Sequence, residues 1–148
     1  MPSLFSSRSF ILTEIKELEV TIGKILVIED NALNRKLVRD LLSIGKYHVL
    51  EAGDAEGGIK LAQEQTPDLV LMDIQLPGMN GLEATKVLKR DPILNHIPIV
   101  ALTGCAMRGD KEMALEVGCA GYITKPIDTR AFLKKISHFL NHHPKRSK

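Results

Sequence analysis

The chain predicts a doubly wound α/β fold: a five-stranded parallel sheet with helices on both faces, within 148 residues. Three observations carry this. Short unbroken apolar runs recur five times, the segments between them carry apolar residues at helical spacing, and the two kinds of segment alternate strictly. Strands buried on both faces read as continuous β-branched runs. Strict alternation with right-handed crossovers leaves a parallel sheet as the simplest packing.

The first strand begins at Lys24 and runs through Ile25-Leu26-Val27-Ile28. Leu33, Leu37, Val38, Leu41 and Leu42 follow at spacings of three and four, which predicts one helical face closing near Gly45. Residues 48–52, with Val49-Leu50, form the second strand, and Asp54 is placed to cap a helix carrying Ile59, Leu61 and Ala62. Gly57 and Gly58 weaken that helix. After Pro67-Asp68, Leu69-Val70-Leu71-Met72 is the third strand, and the loop-rich run from Leu76 to Gly81 leads into a helix through Leu82, Val87 and Leu88. The fourth strand is 97–102. Asp110 is expected to cap a helix with Met113, Ala114 and Val117 that Gly118 closes. Residues 121–124 are the fifth strand, and Asp128 is expected to cap a last helix whose stripe is Phe132, Leu133, Ile136, Phe139 and Leu140.

Three parts follow: an N-terminal extension, 1–23; a domain, 24–141; and a basic tail, 142–148. In the extension Ile11, Leu12, Ile15 and Leu18 suit an amphipathic helix of about two turns, and equally a segment that orders only by contact. The net charge is +2, and the tail supplies Lys145, Arg146 and Lys148 with no acid. A basic excess confined to a terminal run is not the face or stripe a nucleic-acid binder shows, so no nucleic-acid partner is expected. Cys105 and Cys119 are too few for a disulfide framework and lie far from any zinc-type cluster. No run approaches the ~20 apolar residues of a membrane span. A cytoplasmic protein without membrane association is expected.

In open α/β sheets ligands bind beyond the carboxyl ends of the strands. Glu29-Asp30 follows the first strand, Asp73 the third, Thr103-Gly104 the fourth, and Thr124-Lys125-Pro126 the fifth. Each alone is an ordinary strand end. Together they put three carboxylates, a hydroxyl and an ammonium on one rim. Clustered carboxylates repel unless a cation joins them, and a hard divalent ion that keeps several waters points to Mg2+ and a phosphoryl site.

The order and spacing of these residues resemble the receiver domain of bacterial two-component response regulators. The likeness runs from Lys24 to about Leu140. It rests on Ile25-Leu26-Val27-Ile28-Glu29-Asp30-Asn31, on Leu71-Met72-Asp73-Ile74-Gln75-Leu76-Pro77-Gly78-Met79-Asn80-Gly81, on Ile99-Val100-Ala101-Leu102-Thr103 and on Gly121-Tyr122-Ile123-Thr124-Lys125-Pro126. Ala106-Met107 and Gly109-Asp110 look most like stand-alone DivK-like regulators and the receivers of hybrid kinases. The resemblance implies a flavodoxin-like (βα)5 fold with strand order 2-1-3-4-5. It makes Asp73 the acceptor of a phosphoryl group from a histidine kinase or histidine phosphotransfer protein. Mg2+ would be held by Asp30 and Asp73, by Glu29 through water, and by the backbone carbonyl of Gln75. Lys125 would contact the phosphoryl group, Thr103 would move toward it, and Tyr122 would turn inward with it. The Lys125-Pro126 bond resembles a cis position of the family. Output would pass to a downstream protein through the fourth helix, fifth strand and fifth helix, from Arg108 to Leu140. Such a chain is a phosphorylated switch that assists its own phosphoryl transfer and autodephosphorylation rather than an enzyme.

Two other classes share parts of this pattern. An Asp-nucleophile phosphatase of the haloacid-dehalogenase type needs a second Asp two residues after the nucleophile, where this chain has Gln75. A receiver-like interaction module that is never phosphorylated would not need the full set Glu29, Asp30, Asp73, Thr103 and Lys125. Cys119 is expected to be a small packed residue, and Cys105 to lie near the site.

Overall fold

The computed structural model describes residues 22–104 and 109–142. Five strands, β1 (Lys24–Ile28), β2 (His48–Ala52), β3 (Leu69–Asp73), β4 (Ile99–Thr103) and β5 (Gly121–Thr124), form one sheet in the order β2-β1-β3-β4-β5. All pairings are parallel. Five helices join them: α1 (Ala32–Ile44), α2 (Ala55–Gln65), α3 (Gly81–Arg90), α4 (Asp110–Glu116) and α5 (Phe132–His142). The fourth strand starts and ends slightly later than expected, because Pro98 precedes its first paired residue.

Successive residues of a strand point to opposite faces, so each apolar run feeds two cores. Leu26, Ile28, Val70, Met72, Ile99 and Ala101 pack with Ala55, Ala62, Ala84, Leu88 and Ala114, which come from α2, α3 and α4. Ile25, Val27, Leu69, Leu71, Val100, Leu102 and Ile123 pack with Val38 and Leu42 of α1 and Phe132 and Ile136 of α5. Because the central strands are covered on both sides, their polar residues can only appear at the ends.

The helix starts are largely those the sequence marks. Asn31 accepts from Asn34 N at 2.9 Å, Asp54 from Gly57 N at 2.7 Å, and Asn80 with Glu83 forms a reciprocal capping box. Gly58 is more than a weak helix former: a methyl group there would overlap the side chain of Ile28, so its absence lets α2 lie close on β1. Two expected caps are corrected. Gly109, in the left-handed region at φ 102°, precedes α4, and Asp110 is already helical. Asp128 accepts from Arg130 N at 3.0 Å in a separate turn, and α5 begins only at Phe132.

The predicted stripe of α1 is also corrected. Val38 and Leu42 are buried and Leu41 is partly so, whereas Leu33 is 78% exposed and Leu37 39%. Each step of four residues advances about 40° around a helix with 3.6 residues per turn. The four leucines and the valine therefore spread over roughly half the circumference, and the first two pass beyond reach of the sheet.

Candidate functional site

Parallel pairing sets the strand ends level. Ile28 pairs with Met72, Asp73 with Leu102, and Thr103 with Thr124, so the residues that follow emerge along one edge. Glu29 leaves β1, Asp73 ends β3, Thr103 ends β4 and Lys125 follows β5. Glu29, Asp73 and Thr103 are buried, and Asp30 is exposed. Carboxylate oxygens of Glu29, Asp30 and Asp73 all lie within 4.8 Å of one another. The Lys125 ammonium stands between two of them, 3.0 Å from Glu29 Oε1 and 3.0 Å from Asp73 Oδ2.

Backbone groups fix these carboxylates. Gln75 N donates to Asp73 Oδ1 at 2.8 Å, and Asn31 N donates to Glu29 Oε2 at 3.1 Å. The turn from Ile74 to Asn80 is drawn against the end of β3, because a side chain on Gly81 would run into the Asp73 carbonyl and Ile74 Cα. Lys125 N donates to Thr103 O at 2.7 Å, which ties the two strand ends on the other side. The Lys125-Pro126 peptide is cis.

One ammonium faces three carboxylates, which leaves about two negative charges on a half-buried rim. Burial is the main reason that the Glu29 carboxyl sits above the ordinary carboxylate range, with Asp73 adding to it. Burial works against the Lys125 ammonium too, but its hydrogen bonds to Asp73 and Glu29 outweigh this and raise its pKa. A hard divalent cation suits what is left: oxygen donors from separate elements, excess negative charge, and an exposed Asp30 that keeps the rim open to water. Glu29, Asp30 and Asp73 are the described side chains that fit it.

Tyr122 lies on β5 with its side chain turned outward and 36% exposed, under the Lys111 ammonium, which is 5.0 Å from the ring centroid. Two contributors were not read from the sequence. Arg35 Nη1 donates to Glu29 O at 2.6 Å, and Asn31 serves both Glu29 and the start of α1. Their signal is position alone, in the cap and first turn of the helix that follows the acidic pair. Cys119 is buried beside Thr85, as a small packed residue. Cys105 and Arg108 lie outside the described residues.

Residues 25–137 match the family model for the response regulator receiver domain. The polar-differentiation response regulator DivK of Brucella anthropi is 46% identical over 116 residues, 78% of this chain and 94% of that protein. The receiver domain of the Pseudomonas aeruginosa sensor histidine kinase PA1611, solved with magnesium coordinated in its active-site cleft, superposes with TM-score 0.75 at 29% identity, covering 80% of this chain and 98% of that one. The receiver domain of Saccharomyces cerevisiae Ssk1, solved with the histidine phosphotransfer protein Ypd1, gives TM-score 0.72 at 31% identity, covering 78% and 87%. With five parallel strands in the order 2-1-3-4-5 and its polar strand ends gathered on one edge, the chain belongs to the response regulator receiver domains of two-component signalling.

Proposed function

We propose that Asp73 is the residue that carries the phosphoryl group, received from a phosphohistidine of a histidine kinase or histidine phosphotransfer protein. The observation that carries this is the pairing of buried Asp73 with the Lys125 ammonium at 3.0 Å inside an acidic cluster. A carboxylate oxygen of Asp73 attacks phosphorus, the P–N bond breaks, and its electron pair stays on the imidazole nitrogen. Little covalent chemistry is asked of the protein, since phosphoryl transfer rests on alignment and charge stabilisation. Lys125 contacts phosphoryl oxygens. Asp30 and Asp73, with Glu29 through water and the Gln75 carbonyl, would hold Mg2+, which would neutralise the negative charge that gathers there.

Phosphorylation adds roughly two negative charges next to Thr103. The Thr103 hydroxyl then donates to the new oxygens, and Tyr122 leaves its outward position under Lys111. The face made by α4, β5 and α5 changes with them and is read by a downstream protein. The domain spans 24–141, with 1–23 and 142–148 as appendages. Among the described residues no helix is long and apolar enough to cross a membrane, and the cytoplasm is the compartment proposed.

The test is Asp73→Asn against the unaltered chain, each given acetyl phosphate or a phosphorylated histidine kinase with Mg2+. The variant should take up no label that hydroxylamine or base releases, and chelating Mg2+ should stop uptake by the unaltered chain. A variant that still labels at the original rate would move the acceptor to another residue.

A further inference from the structure

Tyr122 is one of two tyrosines in the chain, and its place on β5 gives the ring two courses. Gly121 and Ile123 are buried, whereas Tyr122 points to the opposite face of an edge strand, where it pairs with Ala101. Ala101 and Ala114 are small buried side chains on that face, and Thr103 lies two residues past Ala101 toward the acidic rim. Inward, the ring moves over Ala101 toward Thr103. Outward, it meets Lys111, whose ammonium is 5.0 Å from the ring centroid.

Little else holds that ammonium. Among the described residues no carboxylate lies within ion-pair distance of it. Lys111 is the second residue of α4, in the first turn, where the helix dipole favours Asp110 and Glu112 and works against a cation. Gly109 makes no side-chain cap bond, so capping does not fix the start of α4 either. The ring is therefore the group that attracts the ammonium, and the contact joins α4 to β5.

We propose that Lys111 is a positioning residue that sets the balance of the switch, its ammonium holding Tyr122 outward in the unphosphorylated chain. A cation over an aromatic face at a half-exposed site is worth about a two- to fivefold change in a two-state ratio. Inward rotation breaks the contact, so phosphorylation has to overcome that factor before the face of α4, β5 and α5 changes. Lys111 makes no bond to Glu29, Asp73 or Lys125, so it acts on the readout and not on uptake. This consequence rests on the proposed switch from Thr103 to Tyr122, whereas the position of the ring before phosphorylation does not.

Relaxation dispersion of 13C-labelled tyrosine rings in the full chain tests the contact without any phosphorylation. In Lys111→Met, which keeps the stem and a good helix former, the inward-to-outward ratio of Tyr122 should rise about two- to fivefold. Lys111→Arg should restore the original ratio, and buried Tyr47 should stay unchanged in all three proteins as a check on the fold. An unaltered ratio in Lys111→Met, or an arginine variant that behaves like the methionine one, would overturn the proposal. Given acetyl phosphate and Mg2+, Lys111→Met and the unaltered chain should take up label at rates within about twofold of each other and both turn the ring inward. Uptake slowed tenfold in Lys111→Met would place the lysine in the transfer itself and also overturn the proposal. A ring that stays outward in both labelled proteins would refute the switch from Thr103 to Tyr122 instead, with the effect of Lys111 before phosphorylation still standing on its own measurement.

Discussion

Replacing Lys125 with Met removes one ammonium and leaves its stem, so the change tests charge with little change in packing. The lysine makes two charge-assisted bonds of 3.0 Å, to Glu29 and Asp73, whose side chains are 1% and 5% exposed. Removing one partner of a buried ion pair costs about 3–5 kcal/mol when the remaining charge cannot escape. Here it can escape in part: Glu29 already lies above the ordinary carboxylate range, so a further upward shift neutralises it, and each pKa unit so used costs about 1.4 kcal/mol. Burial of the lysine itself offsets some of its worth. A loss of about 2–3 kcal/mol at pH 7 is expected, which for a domain of this size is roughly 5–12 °C in Tm. The loss should shrink as pH falls toward 5, where protonation relieves the repulsion between Glu29 and Asp73, and it should shrink when Mg2+ is added. Thermal unfolding of both proteins at pH 5 and 7, with and without Mg2+, measures all of this. A loss that ignores both pH and Mg2+ would mean that Lys125 acts through packing, and the electrostatic account of the rim would fail.

Glu29 gives a second pH signature. Its folded pKa is raised above 4.5, so the folded state binds the extra proton, and this contribution to stability is present at low pH and is lost as pH rises through the window above 4.5. Without Mg2+, stability of the unaltered chain relative to Glu29→Gln should therefore fall across that window in denaturant titrations, and saturating Mg2+ should flatten the difference. Thr103→Ala should still take up phosphate, because Asp73, Asp30 and Lys125 remain, yet lose the phosphorylation-dependent change in affinity for a downstream partner; an unchanged affinity shift would place the switch in the Gln75 to Gly81 loop. Gly58→Ala gains helix propensity of about 1 kcal/mol but overpacks against Ile28 at about 1–3 kcal/mol, so a net loss near 1 kcal/mol is expected by urea unfolding, and a more stable variant would show that α2 has room to shift.

The sheet was legible because its central strands, β1, β3 and β4, are buried on both faces. Runs such as Leu69-Val70-Leu71-Met72 leave no polar position along their length, and the sequence of a strand like this can fill only a central place. For the same reason the site residues stood out. Once a strand is apolar throughout, its first polar residue marks its end, so Glu29, Asp73, Thr103 and Lys125 could be assigned to one edge before their contacts were known. What could not be read was anything fixed by a backbone group or by orientation. Asn31 looks like a helix cap and is one, but its N–H also holds Glu29, and Arg35 looks like a surface arginine although it reaches the Glu29 carbonyl.

The misread stripe of α1 has a physical cause. Spacings of three and four select residues near one another in sequence steps, but five residues taken with more fours than threes drift around the helix, and only part of such a stripe can face a sheet. Val38 and Leu42 satisfy the core, so Leu33 and Leu37 carry apolar surface that folding of the domain does not require. Ile44 was outside the predicted stripe and is 69% exposed, on the same side as Leu33 and Leu37. Scattered exposed apolar residues need no explanation, and Leu33, Leu37 and Ile44 are surface on which the core does not draw.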